Sequence, residues 1–262
     1  MASQSYWKKA SEEVATNQFE KGIALDKRLL KEYTKAYEVI DKQLLTLLAS
    51  MKSDLKNGEL PATALYKGDR YTLMRDTIAK EMIRLGATEQ TSLTMTLGEV
   101  FKSVRSETSA IIGSSFGFIP ESQVESAIKV NWKGRNFSSS IWKDKDLLTK
   151  SLNKNITDSI ISGKSNDQVV RAMRDSLDSG YSNTSRLVRT ETNKIVNEGQ
   201  MASYKQAGIT HYKFLAEEDS RTSSICSELD GDIISFKDAE LGVNFPPMHP
   251  NCRSTIIPII ED

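Results

Sequence analysis

Cysteine is scarce in this sequence, with Cys226 and Cys252 as the two examples among 262 residues. Two cysteines are too few for the disulfide framework of a small secreted domain, and in a reducing cytosol they stay reduced. No stretch approaches the roughly 18 apolar residues of a membrane span, and the N-terminus does not have the apolar core of a signal peptide. We therefore expect a protein made and used in the cytosol, without a membrane partner.

Aromatic residues and prolines are also few, and charged residues are plentiful. Aromatic side chains make up 7% of the chain, prolines number 6 and charged residues reach 27%, which favours long exposed helices over a compact sandwich. The formal net charge is zero, but residues 211–262 carry 4 basic and 10 acidic side chains, against 31 and 25 before them. Since no dense Lys/Arg cluster is present, we expect at most weak, non-specific DNA binding through this basic body.

The N-terminal half has the periodicity of amphipathic helices. Apolar residues recur every three or four positions from Leu25 to Leu55, where Asn57-Gly58 predicts a stop. A second helix is predicted from about 69 to 85, ended by Gly86, and a third from about 88 to 111. The sequence therefore predicts three successive helices, with plain helix packing as the reason for their apolar stripes.

Helical patterning resumes after a mixed segment, residues 113–136, that we interpret as a joint between domains. A helix through 148–160 is predicted to end at Gly163, and the Ser165-Asn-Asp-Gln168 segment has the form of a capping box. Gly180 is predicted to separate the helix that follows from a final one, and Gly208 to end the latter. The helical region thus extends to about residue 207.

The pattern changes to that of strands after Gly208. Tyr212–Ala216 alternates in polarity, Asp230-Gly231 predicts a tight turn before Ile233-Ile234, and Thr255–Ile259 is predicted to be a closing strand. Pro258 confines that last strand to a sheet edge, because proline has no N–H to donate.

Taken together, these patterns predict an α+β protein that is predominantly α. An elongated helical N-terminal part, residues 1–125, precedes a smaller α+β C-terminal domain, residues 126–262, with short antiparallel strands. Within that domain the helices reach about residue 207, and short strands and loops fill 208–262.

Several short motifs follow one another in the C-terminal part. They are Trp132-Lys-Gly-Arg-Asn-Phe-Ser-Ser-Ser-Ile-Trp142, Gly163-Lys-Ser-Asn-Asp-Gln168, Arg189-Thr-Glu-Thr192 with Gly199, Asp219-Ser-Arg-Thr222, Cys226, Leu229-Asp-Gly231 and Pro246-Pro-Met-His-Pro-Asn-Cys-Arg253. This ordered series resembles the phage Mu F-type minor head proteins, a phage head morphogenesis family. The opening Ser5-Tyr-Trp-Lys-Lys and the Leu65–Tyr71 stretch are similar to the Gram-positive phage branch, so the resemblance extends over nearly the whole chain.

The resemblance implies a minor structural and assembly component of a tailed-phage head. It implies a location in the virion, in the head interior near the portal, and in the host cytoplasm during assembly. Its partners would be the portal protein and the major capsid or scaffolding protein, and its task head morphogenesis with DNA packaging or delivery. We expect no catalytic residues. Relatives sometimes carry toxin domains behind this module, but the sequence ends at Asp262, so no fused effector is expected.

Cys226, His249 and Cys252 form the one metal-like group in the sequence. Thiolate and imidazole are preferred zinc ligands, and a structural site wants four of them, with His211 or Asp219 as further donors. Many relatives have a second cysteine in each pair, whereas Ser223 and Ser254 stand there in this sequence. Three interpretations stay open: a structural zinc, a reduced cysteine pair beside a hydrogen-bonded histidine, and a Cys226–Cys252 disulfide.

An enzyme is the alternative to a head protein. A three-ligand zinc with an open position is also the form of a catalytic site, so a zinc-dependent hydrolase or effector-type enzyme could use the same cluster. A cysteine nucleophile paired with His249 has the right residue types but no recognisable context. No P-loop, G-x-G-x-x-G or G-x-S-x-G motif occurs, which excludes the common nucleotide-binding and serine-hydrolase patterns.

The remaining motif residues are expected to hold the fold. They are Arg189, Glu191, Asp219, Arg221, Asp230, Gly231, Pro247, His249, Pro250 and Arg253. Two interpretations stay open for the last helix: the polar stripe of Arg186, Thr190, Asn193 and Asn197 is a solvated face, or the charged motif residues form a buried network. In the second case Arg189 and Glu191 anchor the 219–253 loops, with Arg221, Asp219 and Asp230 in the same network, and Glu191→Ala would leave an insoluble or molten protein.

Overall fold

The computed structural model describes residues 3–54, 61–113 and 118–260. Within these ranges lie six helices: α1 (Gln4–Met51), α2 (Arg70–Ile111), α3 (Glu121–Lys129), α4 (Phe137–Ile161), α5 (Asn166–Gln206) and α6 (Ser224–Leu229). The strands are β1 (His211–Leu215), β2 (Ile233–Ser235) and β3 (Thr255–Ile259). The predicted class, α+β with a predominance of helix and a long helical N-terminal part, is confirmed. Leu55 and the predicted Asn57-Gly58 stop lie outside the described residues.

Helix α1 begins 21 residues earlier than the stripe at Leu25 predicted. Its first turns already bury Trp7 and Val14, so the added segment is held by packing. The predicted stripe itself is confirmed, because Leu25, Ile40 and Leu44 are all fully buried. In the described part of the chain, no helix has the length and apolar character required to cross a membrane.

Two glycines predicted to break helices lie inside them instead. Helix α2 runs through Gly86, and α5 runs through Gly180. A Cβ at Gly86 would lie 2.8 Å from Trp142 Cζ3, and one at Gly180 would lie 2.4 Å from Leu148 Cδ2. The predicted breaks were wrong. At both positions the missing side chain lets a large side chain of another helix pack against the helix backbone, and the chain does not turn there.

The predicted helix ends around residue 163 are confirmed. Gly163 follows α4 with a φ of +70°, the left-handed conformation that glycine adopts most easily. The Ser165 Oγ accepts a hydrogen bond from the Gln168 N–H at 3.4 Å, and the Ser165 N–H donates to Gln168 Oε1 at 2.9 Å. This reciprocal pair is the predicted capping box at the start of α5.

The C-terminal strands form one small antiparallel sheet in the order β2-β1-β3. Tyr212 pairs with Ile234 on one side of β1 and with Pro258 on the other. Strand β3 lies at an edge, as Pro258 predicted. The tight turn before β2 is also present, with Gly231 at a φ of +89°.

The chain divides into two compact units made of non-consecutive segments. One comprises Lys27–Thr91 and Ser138–Thr184, and its core is an apolar cluster that includes Ile40, Leu44 and Leu152. The boundary predicted at residue 125 divides the sequence and not these units, and it stays a prediction.

The other unit comprises Met1–Asp26, Ser92–Phe137 and Ser185–Asp262. It contains the sheet, which packs aromatic side chains such as Tyr212 and Phe245 against Tyr204 of α5. A second small cluster, around Phe214 and Met248, includes both cysteines. The motif residues from Arg189 to Arg253 therefore all belong to one unit.

Candidate metal centre

The short helix α6 positions the first cysteine. Ser223 is its N-cap, and the Ser223 Oγ accepts a hydrogen bond from the Cys226 N–H at 3.3 Å. Cys226 is consequently fixed in the first turn, with 2% of its surface exposed.

The proline-rich loop before β3 positions the other two residues. A turn closes where the Cys252 N–H donates to the His249 carbonyl oxygen at 3.1 Å, with Asn251 in the left-handed region at a φ of +59°. Cys252 is buried, whereas His249 is half-buried. The turn brings two residues that are three apart in sequence to the same side of the loop.

Cys226, His249 and Cys252 meet in space. Cys226 Sγ lies 3.3 Å from His249 Nε2 and 3.8 Å from Cys252 Sγ, and the three donor atoms all lie within 4.8 Å of one another. The sulfurs are not bonded to each other, so the disulfide interpretation does not describe this structure. Neither His211 nor Asp219 belongs to this group.

The imidazole of His249 is oriented by the backbone. His249 Nδ1 lies 2.9 Å from the Pro250 carbonyl oxygen, and a carbonyl oxygen can only accept. Nδ1 is therefore the donor of this hydrogen bond, and the other ring nitrogen, Nε2, faces Cys226 Sγ.

The two thiols are unequal. The hydrogen bond from Cys252 lowers the pKa of Cys226, and Ser223, Ser254 and His249 lower it further. The same contact, together with burial, raises the pKa of Cys252. The pair thus favours a single negative charge, carried by Cys226.

An ion-pair cluster closes the loops next to these residues. Both Asp219 carboxylate oxygens accept from the Arg253 guanidinium, at 2.8 and 2.5 Å, and Arg221 contributes a longer contact of 3.3 Å. The hydrogen bond from Arg253 holds the pKa of Asp219 well below its usual range. Asp230 is not part of this cluster, since its Oδ1 accepts from the Ala216 N–H at 2.8 Å.

Helix α5 anchors these loops through neutral polar side chains. Asn193 and Asn197 both donate from Nδ2 to the Ser254 carbonyl oxygen, at 3.0 and 3.3 Å, and Thr190 Oγ1 accepts from the Asn251 N–H at 3.1 Å. All three α5 side chains are buried. The solvated-face interpretation is therefore wrong for these three residues, which share one helix face through their spacing of three and four residues.

Arg189 and Glu191 do not anchor the loops by buried hydrogen bonds, so that prediction was wrong. Arg189 is largely exposed and lies 3.6 Å from Asp26 of α1. Glu191 is buried, but it forms an ion pair with Lys194, whose Nζ donates to the Val130 carbonyl oxygen at 3.0 Å. Burial raises the pKa of Glu191. Glu191 therefore compensates a buried lysine on its own helix.

The other motif residues have backbone roles. The Gly231 N–H donates to the Phe214 carbonyl oxygen at 3.0 Å, and the Trp132 Nε1–H donates to the Pro247 carbonyl oxygen at 2.8 Å. Pro250 holds His249 as described. The first tryptophan of the Trp132–Trp142 motif is thus tied to the Pro-Pro-Met-His-Pro loop.

A cavity of about 780 Å³ opens beside the three donors. His249 and Cys252 form part of its wall, and Phe19 and Ile23 of α1 add apolar surface. Three arginines also line it, namely Arg189, Arg221 and Arg253. The cavity gives solvent a route to one side of the Cys-His-Cys group.

Part of the chain matches a family of known proteins. Residues 150–257 match the family model described as "Phage Mu protein F like protein". The match covers α5, β1, β2, the first part of β3 and all three donors, and it confirms the resemblance for the motifs from Gly163 to Arg253. Residues 150–257 are thus similar to the phage Mu F-like proteins.

A second match is to an enzyme. The chain is 25% identical over 170 residues, 59% of its length, to a protein of Enterococcus faecalis named NAD(+)--arginine ADP-ribosyltransferase EFV. The match covers 35% of that relative, so the chain spans about a third of the length of the curated protein it matches. No solved structure matches this chain.

Proposed function

We propose that the chain is a minor head protein of a tailed phage, located in the head interior near the portal. The observation that carries the proposal is the family match over residues 150–257. In this role the protein binds the portal and the major capsid or scaffolding protein, and assists DNA packaging or delivery. It acts through its surfaces and not by catalysis.

The partner-binding surface is proposed to be the exposed faces of α1 and α2. Large apolar side chains are solvent-exposed there, including Leu45 on α1 at 49% and Ile83 on α2 at 62%. Exposed apolar side chains can serve as anchors in a protein-binding surface. Since both side chains point away from the core, they can be changed without removing core packing.

A pull-down tests this surface. The tagged chain, expressed during phage infection or prophage induction, is expected to recover portal or capsid protein. Leu45→Glu and Ile83→Glu are expected to reduce that recovery by about tenfold or more, as loss of interface anchors does. Lys164→Glu is the control, because it puts a glutamate at an exposed position outside α1 and α2. Equal recovery by all variants would contradict the surface.

Weak DNA binding is a separate part of the proposal. The 31 basic against 25 acidic residues before His211 give that region a modest positive charge. Binding of this kind depends on counterion release and falls steeply with salt. A gel shift at low ionic strength is expected to show DNA binding that disappears near physiological salt. The absence of a shift even at low salt would contradict the DNA-binding proposal and leave the head-protein proposal unaffected.

The second candidate is an enzyme, favoured by the Enterococcus faecalis relative and by the cavity next to the Cys-His-Cys group. The larger part of that relative has no counterpart in the match, so its named activity need not lie in the shared segment. Incubation of the chain with labelled NAD⁺ and arginine-containing acceptor proteins is expected to give no labelling. Transfer of label above a heat-denatured control would favour the enzyme over the head protein as the function of the chain.

A further inference from the structure

We propose that Cys226, His249 and Cys252 bind one zinc ion, which clips the α6 segment to the loop before β3 and leaves its fourth position to water. The inference concerns these residues alone and does not depend on the head role. It rests on the geometry of the donors, the orientation of the histidine and the access that the cavity gives.

The two separations from Cys226 Sγ are close to those of a tetrahedral zinc site, and the third donor pair lies within 4.8 Å. Zinc bonds of about 2.3 Å to sulfur and 2.0–2.1 Å to nitrogen place two sulfurs ~3.8 Å apart and a sulfur and nitrogen ~3.6 Å apart. The observed distances are 3.8 Å between the sulfurs and 3.3 Å between Cys226 Sγ and His249 Nε2. A disulfide instead requires a sulfur separation of about 2.05 Å, far from the observed one.

The histidine is prepared for a metal. Nδ1 donates to the Pro250 carbonyl oxygen, so Nε2 is the ring nitrogen left for a metal, and it faces Cys226 Sγ. Metal-binding histidines nearly always have such a partner on the second ring nitrogen, because it fixes the tautomer and the ring plane. Without a metal, Nε2 has the Cys226 sulfur, a weak hydrogen-bonding group, as its neighbour.

The surrounding structure holds all three ligands in place. Cys226 is fixed by the Ser223 cap, and Cys252 by the turn to His249. The next residue but one, Ser254, is held by Asn193 and Asn197 of α5. A preorganised site of this kind binds a metal without a large ordering cost.

The fourth position distinguishes this site from a four-cysteine one. Ser254 follows Cys252 by two residues and is buried, and Ser223 Oγ already accepts from the Cys226 N–H. Hydroxyls are poor zinc ligands compared with thiolates, so water fills the position that the cavity reaches. A thiol in place of the Ser254 hydroxyl would complete a four-ligand site.

The first test uses the full-length chain purified without chelator under reducing conditions, with metal analysis and titration by Zn²⁺ and Co²⁺. We expect about one zinc per chain, and Co²⁺ spectra with thiolate charge-transfer and tetrahedral ligand-field bands. Cys226→Ser and His249→Asn are expected to weaken binding by about 100-fold or more. His211→Asn is the matched control, because His211 is the other of the two histidines of the chain and lies outside the group.

Three results would overturn the proposal. One is wild-type protein without zinc and without a cobalt charge-transfer band. Another is zinc binding that His249→Asn leaves unchanged. The third is an intact mass lower by two hydrogen atoms, which would reveal that the two thiols have been oxidised to a Cys226–Cys252 disulfide.

A gain-of-function variant covers the case in which ligand removal prevents folding. Ser254→Cys is expected to bind Zn²⁺ at least about tenfold more tightly than wild type and to intensify the cobalt charge-transfer band, because a third thiolate joins the metal. Unchanged affinity and spectrum in a folded Ser254→Cys protein would contradict the proposed position of the metal.

Discussion

Lys145 Nζ lies 2.6 Å from Glu89 Oε1 in a buried ion pair between α4 and α2, with side-chain exposures of 3% and 2%. Tyr33 and Thr184 add hydrogen bonds to the pair, so its polar atoms are surrounded by partners. Burial nevertheless raises the pKa of Glu89, and Lys145 only partly opposes that effect. A substitution that removes one partner therefore leaves the other charge buried and unpaired, which is costly in free energy.

Removal of one partner of this pair is expected to destabilise the protein strongly. Lys145→Met leaves the Glu89 carboxylate buried without its cation, which should reduce the free energy of unfolding by about 3–5 kcal/mol. The matched control is Lys154→Met on the same helix, where the Lys154–Asp158 pair is exposed and worth about 0.5 kcal/mol or less. Urea unfolding of both variants measures the difference, and equal losses would contradict the account.

Gly180→Ala is expected to destabilise the protein although alanine is the better helix former. The new methyl group would lie 2.4 Å from Leu148 Cδ2, and overpacking of this kind costs about 1–3 kcal/mol. Gly98→Ala is the control, because its Cβ would meet nothing closer than 3.5 Å and should stabilise α2 by about 0.5–1 kcal/mol. Thermal unfolding that moved both variants in the same direction would refute this explanation.

Asn193→Ala is expected to loosen the C-terminal loops. The substitution removes a buried donor to the Ser254 carbonyl oxygen and should cost about 1–3 kcal/mol. Ser182→Ala, at an exposed position on the same helix, is expected to have an effect within about 0.5 kcal/mol. Hydrogen exchange of residues 249–254 is the measurement, and unchanged protection in Asn193→Ala would argue against the anchor.

The Asp219–Arg253 pair predicts a stability change in acid. The folded pKa of Asp219 is depressed by Arg253, so its contribution is complete above the unfolded value of about 3.9 and is lost as the pH falls through the lower folded pKa. The stability difference between wild type and Asp219→Asn should therefore be constant from neutral pH to about pH 5 and shrink below about pH 4. A difference that grew on acidification would have the wrong sign.

The sequence predicted this fold where local signals and packing agree. The stripe from Leu25, the Ser165–Gln168 capping box and the edge position of Pro258 all follow from one residue type at one spacing, and each is found. Gly86 and Gly180 could not be interpreted in this way, because their role depends on Trp142 and Leu148, which are distant in sequence. Propensity alone does not distinguish a helix break from a close approach of another helix.

For the metal site too, the sequence predicted the residue types but not the contacts that depend on residues distant in sequence. The three donor residues were identifiable by type, whereas their 3.3 and 3.8 Å separations depend on the loop turn and on the Ser223 cap. The charged residues of the Arg189–Thr192 motif were predicted to anchor the loops. The hydrogen bonds to the loops come instead from the neutral side chains of Thr190, Asn193 and Asn197. Neutral polar residues in a long helix are ambiguous until their burial is known.

The central claim, a minor component of the phage head, is tested most directly by the composition of purified particles from the phage or prophage that encodes this chain. Quantitative mass spectrometry of procapsids and DNA-filled heads is expected to find the chain in both, in fewer copies than the major capsid protein. It should disappear from the particle fraction when the portal protein is deleted. Particles that assemble and package DNA without any trace of the chain, while it accumulates in the lysate, would contradict the claim.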